Sequence, residues 1–256
     1  MGDLAHTSLL LAAAFVAGAL NAVAGGGSFL TLPALVLTGV PPVSANATGT
    51  VALLPGYMAG AWGFKDDMRS PPGLSMKSVV LLALVGGAAG AALLLFTPDA
   101  TFRKIVPWLL LAATAMFAFG PQLRQWAMGG KHDQAPSTGG AAKAALGMLA
   151  VAIYGGYFNG GLGILLLALL GLLGQTNLNA MNGIKNLVSA LLTAIAVAIY
   201  AAGGVVQWKQ ALVMMVAATL GGYLGARVAR KIPPNWLRGG IVLTGLVMAG
   251  LFFWRQ

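Results

Sequence analysis

Leu9-Leu-Leu-Ala-Ala-Ala-Phe-Val-Ala-Gly-Ala-Leu-Asn-Ala-Val-Ala-Gly-Gly-Gly-Ser28 is an unbroken apolar run that stops at three glycines and a serine. A bilayer core takes roughly 17 to 25 residues of helix, so the run nearly spans one before it breaks. Similar runs recur at Val79 to Phe96, Ile105 to Phe119, Leu187 to Ala202 and Ile241 to Trp254. None alternates with a period of two, which excludes a barrel strand and leaves the helix as the structure that meets its own backbone hydrogen bonds in lipid. The chain is therefore read as an all-α, polytopic transmembrane helical bundle.

Composition agrees. Of 256 residues, 58% are apolar and only 8% charged, with a mean hydropathy of +0.84, whereas soluble domains give about a quarter of their residues to charge. Cysteine is absent, which removes disulfides, thiolate metal sites and cysteine nucleophiles together. The net charge of +10 is spread over short loops and forms no basic stripe, so it points to membrane orientation and not to nucleic acid. Ala22-Val23-Ala24 has the small residues of a signal-peptide cleavage site, but the first seven residues carry Asp3 and no Lys or Arg. The segment also has an internal counterpart, so it is read as a retained span.

That counterpart belongs to a repeat. Shifting the sequence by 135 residues places Gly25-Gly26 on Gly160-Gly161, Gly39 on Gly174, Gly86-Gly87 on Gly221-Gly222, and Pro98 and Arg103 on Pro233 and Arg238. The expected organisation is transmembrane repeat 1 over residues 1–121, a polar linker over 122–142, and transmembrane repeat 2 over 143–256. Each repeat holds five hydrophobic segments, and about 8 to 10 in total are long enough to matter. Ser28 to Thr38 and Leu162 to Leu173 are too short to cross as straight helices, at about 16 Å for eleven residues. They are expected to be half-helices beside glycine breaks.

If every segment changes sides, one face receives ten basic residues (Lys65, Arg69, Lys77, Arg124, Lys131, Lys143, Arg227, Arg230, Lys231, Arg238) and the other four (Arg103, Lys104, Lys209, Arg255). If the half-helices re-enter instead, the split is eight against six and the repeats are parallel. The more asymmetric count favours inverted repeats, with both termini outside and a pseudo-two-fold axis in the membrane plane.

Transporters of this design hold substrate where glycine-interrupted helices of two repeats meet near mid-membrane. Glycine lets backbone amides approach a ligand, and helix N-termini point N–H groups and a positive dipole end at it, which suits an anion. The candidate substrate-binding residues are Asn21, Gly25, Gly26, Gly27, Ser28, Asn46, Thr48 and Thr50 in the first repeat. In the second they are Asn159, Gly160, Gly161, Asn182, Lys185 and Asn186. The plainer reading of the glycines is close helix packing, and it is the better one for Gly86, Gly90, Gly221 and Gly225. Lys185 stands in an otherwise lipid-compatible segment, where a lysine costs about 2.5–3.5 kcal/mol at helix centre unless it snorkels to the interface.

All five acidic residues, Asp3, Asp66, Asp67, Asp99 and Asp133, lie in the terminus, loops or linker. Cation pathways usually bury carboxylates, so cation transport is disfavoured. His6 and His132 lie outside the hydrophobic segments, and no acid–base pair or metal cluster is in sight, so no enzyme, cofactor or metal is expected. No Walker A sequence is present, so energy would come from a gradient.

These residues resemble the TauE/SafE sulfite exporter-like permeases. The likeness rests on Asn21-Ala-Val-Ala-Gly-Gly-Gly-Ser28, Gly39-Val-Pro-Pro42, Ala45-Asn-Ala-Thr48, Asn182-Gly-Ile-Lys-Asn186 and Gly221-Gly-Tyr-Leu-Gly-Ala-Arg227, and covers nearly the whole chain outside the linker. The resemblance implies a multi-pass carrier of the bacterial cytoplasmic (inner) membrane for sulfur-containing or organic anions such as sulfite and sulfonates. Repeat two departs from repeat one, with Leu162 for a third consecutive glycine and Gln175-Thr176 for Val-Pro. An anion channel and a non-transporting scaffold or assembly factor remain as alternative readings, and a homodimer is left open. The expected partners are a small anion and the lipid bilayer, with no nucleic acid. Cysteines placed at Gly2 and Arg255 should both react with an impermeant maleimide from outside the cell; protection of both until lysis would refute this topology.

Overall fold

The computed structural model describes residues 2–24, 26–129, 138–228 and 234–254, and their regular structure is entirely helical. In chain order these are α1 (Gly2–Ala24), α2 (Ser28–Leu37), α3 (Pro42–Gly63), a 3-10 turn (Lys65–Asp67), α4 (Met76–Phe96) and α5 (Asp99–Gly129). Then follow α6 (Thr138–Tyr157), α7 (Leu162–Leu172), α8 (Leu178–Ala202), α9 (Trp208–Val228) and α10 (Pro234–Trp254). Parts of the linker, including Lys131 and Asp133, lie outside the described residues, as do Gly25, Arg230, Lys231 and Arg255.

Local chemistry sets the ends. Ser75 and Asn177 cap α4 and α8 by accepting from Ser78 N and Ala180 N at 3.1 and 3.0 Å, each meeting one of a helix's orphan donors. α3 starts on Pro42, and its Val43 N–H donates at 2.9 Å to the Asp99 carboxylate at the head of α5. The short helices end alike. Gly39 and Gly174 adopt φ of +90° and +88°, and Val40 N and Gln175 N reach back to Leu35 O and Leu170 O at 3.1 and 3.0 Å. A left-handed residue at this point favours glycine. The 135-residue offset thus reappears in backbone geometry. It slips to 134 at the other end, where Gly27 O and Gly161 O each accept the first bonds of their helix, because α7 is one residue longer than α2.

Helix pairing follows the repeat. α1 packs on α9 as α6 packs on α4, α3 on α9 as α8 on α4, and α5 on α7 as α10 on α2. Two pairs join equivalent helices, α3 with α8 and α5 with α10. In the first, Gly60 meets Asn186 and Phe64 meets Gly183; in the second, Trp108 stacks edge-on with Phe253 and Thr114 meets Gly245. Rising numbers on one helix meet falling numbers on the other, so both pairs run antiparallel. The head of α9 joins the head of α3, where Gln207 N donates to Thr48 Oγ1 at 3.0 Å. At the opposite end, Gln175 Nε2 donates to Arg69 O at 3.0 Å and Gly73 lies against Ala141.

The protein wears its apolar residues outside. Leu81, Val85 and Leu93 on α4 and Leu212, Val216 and Leu220 on α9 are exposed, as lipid-facing residues must be. By length and composition α1, α4 and α8 each suffice to cross a bilayer. Glycines bring backbones together: a Cβ on Gly90 would fall on the Ile153 carbonyl, and one on Gly87 would sit 2.7 Å from Leu192 Cα. Gly90→Val should lower the detergent-unfolding midpoint, at a cost of at least about 1–3 kcal/mol of overpacking, while Gly250→Ala, with open space around it, should leave it unmoved.

Candidate functional site

Asn182, Lys185, Asn186, Ser189 and Thr193 all lie on α8, and at 3.6 residues per turn they fall within about 100° of its circumference. They form one polar stripe on a helix whose adjoining face, Met181, Ile184, Val188 and Leu192, is buried among apolar side chains, with Lys185 at the boundary between the two. Lys185 is 4% exposed and is the one charged side chain buried among the described residues. No described residue forms an ion pair or hydrogen bond with its amine. Ser189, one turn on, is fully buried and its hydroxyl has no partner.

The stripe runs into the break between α6 and α7. Asn159 donates from Nδ2 to Thr193 Oγ1 at 3.1 Å and accepts from the Tyr57 hydroxyl at 2.7 Å. Asn21 on α1 contacts the same hydroxyl from the other repeat, and its Oδ1 is buried and unpaired. A chain of polar groups therefore crosses the bundle from α8 through the second break to α3 and α1. The break itself is held by side chains: Tyr200 donates to Gly156 O, Asn46 Nδ2 to Tyr157 O at 3.0 Å, and Tyr154 to Gly160 O at 2.6 Å. These meet carbonyls that the end of α6 would leave bare in a medium without water.

The sequence candidates separate accordingly. Asn21 and Asn159 are members of this chain, Asn186 shares a cavity with Asn21, and Lys185 lies on the same stripe of α8 as Asn186. Asn46 and Thr48 are engaged in the bonds to Tyr157 O and Gln207 N, and Thr50 bonds back to Asn46 O at 2.8 Å. Asn46 and Thr48 thus fasten α3 to its neighbours, while Thr50 bonds within its own helix. Asn182 is half-buried and donates to Leu178 O on its own helix. Gly26, Gly27 and Ser28 are buried; a Cβ on Gly27 would meet Ala17 O and Leu53 at 2.9 Å, so packing accounts for that glycine. Gly160 lies against the Phe158 ring, and Gly161 has φ +73°, a left-handed conformation that L side chains resist. Gly25 lies outside the described residues. Tyr57, Ser189 and Thr193 were not among the candidates, although Ser189 and Thr193 continue the i+4 spacing from Lys185.

A cavity of about 400 Å³ opens beside the stripe, between α1, α3, α8 and α9. Gly18, Asn21, Gly56, Gly60, Asn186 and Tyr223 are among its walls, and it extends to Gly63 and Phe64, at the end of α3 that leads to Lys65 and Arg69. Lys185 lies next to that wall and not on it. Among the described residues no cluster of His, Asp or Glu is arranged to hold a metal. The polar groups on its walls are the amides of Asn21 and Asn186 and the hydroxyls of Thr219 and Tyr223.

Ten helices among the described residues, an apolar exterior, two glycine-interrupted hairpins and a buried polar centre define a multi-pass helical membrane protein. The sequence profile of the sulfite exporter TauE/SafE family matches residues 10–252, and the chain belongs to that family. A "probable membrane transporter protein" of Haemophilus influenzae is 28% identical, covering 97% of this chain and 95% of the relative. The "probable membrane transporter protein YfcA" of Escherichia coli K12 is 28% identical over 94% and 87% of the two chains. A "probable membrane transporter protein ORF9" of a Sinorhizobium species is 27% identical over 97% and 94%. No solved structure matches the chain.

Because the protein has no cysteine, single cysteines report accessibility cleanly. Asn186→Cys should react with an impermeant maleimide from the face bearing Lys65 and Arg69, and Thr193→Cys should not; labelling of Asn186→Cys solely from the opposite face would contradict the direction in which the cavity opens.

Proposed function

We propose that the protein is a secondary carrier for small sulfur-containing or organic anions of the sulfite and sulfonate kind, acting in a bacterial inner membrane. The observation that carries this reading is Lys185: a buried cation next in sequence to Asn186 of the cavity wall, with no buried carboxylate among the described residues to neutralise it. An unpaired charge inside a protein is expensive, and a bound anion is the partner that would relieve it. The description of the family as sulfite exporters supports such a solute, and the names of the relatives support membrane transport.

Alternating access needs two arrangements of similar energy, and inverted repeats provide them by exchanging roles. The antiparallel pairing of α3 with α8 and of α5 with α10 supports an in-plane pseudo-two-fold axis, since an axis along the membrane normal would make equivalent helices parallel. The same directions put Lys65, Arg69, Lys77 and Lys143 on one face and Arg103, Lys104 and Lys209 on the other. The first of these is proposed as the cytoplasmic face, which makes the cavity inward-open.

Purified protein in liposomes should take up radiolabelled sulfite or sulfoacetate saturably and show counterflow. Lys185→Gln, which keeps hydrogen-bonding capacity but deletes the charge, should raise the half-saturation concentration by roughly tenfold or more. Flux that rises linearly without saturation would replace the carrier with a channel, and wild-type affinity in Lys185→Gln would remove Lys185 from the site.

A further inference from the structure

A carrier must reorient both loaded and empty, and a buried ammonium affects the two states differently. With an anion beside it, Lys185 forms part of a neutral pair. Once the anion leaves, the ammonium would be alone in a protein interior without a counter-charge. Lysine has an escape that arginine lacks, since it changes protonation state readily when buried.

We infer that Lys185 carries the coupling proton: it takes up one proton with each monovalent anion and releases it when the anion leaves, so that anion and proton cross as an electroneutral pair. This rests on the carrier reading given above. On loading, the amine lone pair forms an N–H bond with a proton from the aqueous face, and the resulting ammonium holds the anion. On release, the anion departs, that N–H bond breaks and the proton returns to water on the other side. No electrons are transferred and no other reactant is needed.

The surroundings of Lys185 agree with this. α8 packs against α3, α4, α6, α7 and the 3-10 turn. The titratable or charged residues on those elements are Tyr57 on α3, Lys77 on α4, Lys143, Tyr154 and Tyr157 on α6, and Lys65, Asp66 and Asp67 in the turn; α7 has none, and α8 itself adds Tyr200. The carboxylates Asp66 and Asp67 and the lysines among them are exposed. Tyr57, Tyr154 and Tyr200 donate to Asn159, Gly160 and Gly156. Lys185 is therefore the buried group through which a proton can be gained and lost at the site. The unpaired Ser189 hydroxyl, one turn along the same stripe, offers a place for water or the exchanging proton.

The test uses proteoliposomes loaded with a pH-sensitive dye and a gradient of methanesulfonate, a monovalent anion too weakly basic to carry a proton itself. The wild type should move about one proton per anion, and its net flux should not respond to a potassium-valinomycin potential. Lys185→Arg, fixed in its charged form, should still exchange methanesulfonate across the membrane at a reduced rate, while its net flux falls roughly tenfold or more because the empty site stays charged. Saturable anion flux without proton movement, at a rate set by voltage, would overturn the inference and leave the carrier intact. No saturable flux of methanesulfonate or sulfoacetate would overturn the carrier reading and this inference together. Wild-type stoichiometry decides the matter even if the arginine variant does not fold.

Discussion

A polypeptide interrupted within hydrocarbon must find donors for every carbonyl it frees, and that constraint organises the second half of this bundle. Where α6 stops, the carbonyls of Gly156, Tyr157 and Gly160 are met by Tyr200 from α8, Asn46 from α3 and Tyr154 from α6. A structural break of this kind cannot exist on an isolated hairpin. It forces α3 and α8 to lie beside it, which in turn brings Tyr57 and Thr193 onto Asn159. The polar centre of the protein is thus a consequence of satisfying an irregular backbone in a dry medium, and function occupies what that arrangement leaves open.

Packing and polarity divide the glycines between them. Gly86, Gly87, Gly90 and Gly221 admit a neighbouring backbone where a Cβ would collide, and this close approach supplies the dispersion contacts that hold helices together where lipid provides no hydrophobic drive. Gly56 and Gly60 instead face the cavity. Gly60 admits the Asn186 side chain, against which a Cβ would collide, and Gly56 leaves space beside Asn21.

Much of the fold was legible in the chain. The half-helix expected at Ser28 to Thr38 is α2, Ser28–Leu37, and that expected at Leu162 to Leu173 is α7, Leu162–Leu172. Both end at glycines whose spacing announced them, because a left-handed cap is a local requirement written in one residue. The site was legible only in part. Asn46, Thr48 and Thr50 looked like ligands since they are polar at the head of a helix, yet Asn46 and Thr48 bond to Tyr157 and Gln207, more than a hundred residues away. Thr50 is different: its bond to the carbonyl four residues back is a local habit of threonine in helices, and it could have been set aside from sequence.

The sequence by itself determined the solvent, the helical class, the short broken elements and the placement of every acidic residue outside the hydrophobic segments, because these depend on composition and on spacing along one strand of chain. Only the tertiary structure decided that α3 and α8 run antiparallel, that Asn182 turns back on its own helix while Asn186 lines a cavity, and that Tyr57 joins Asn21 to Asn159. Each of these is set by which helix faces lie against each other, and hydropathy carries almost no information about that in a chain whose exterior is as apolar as its core.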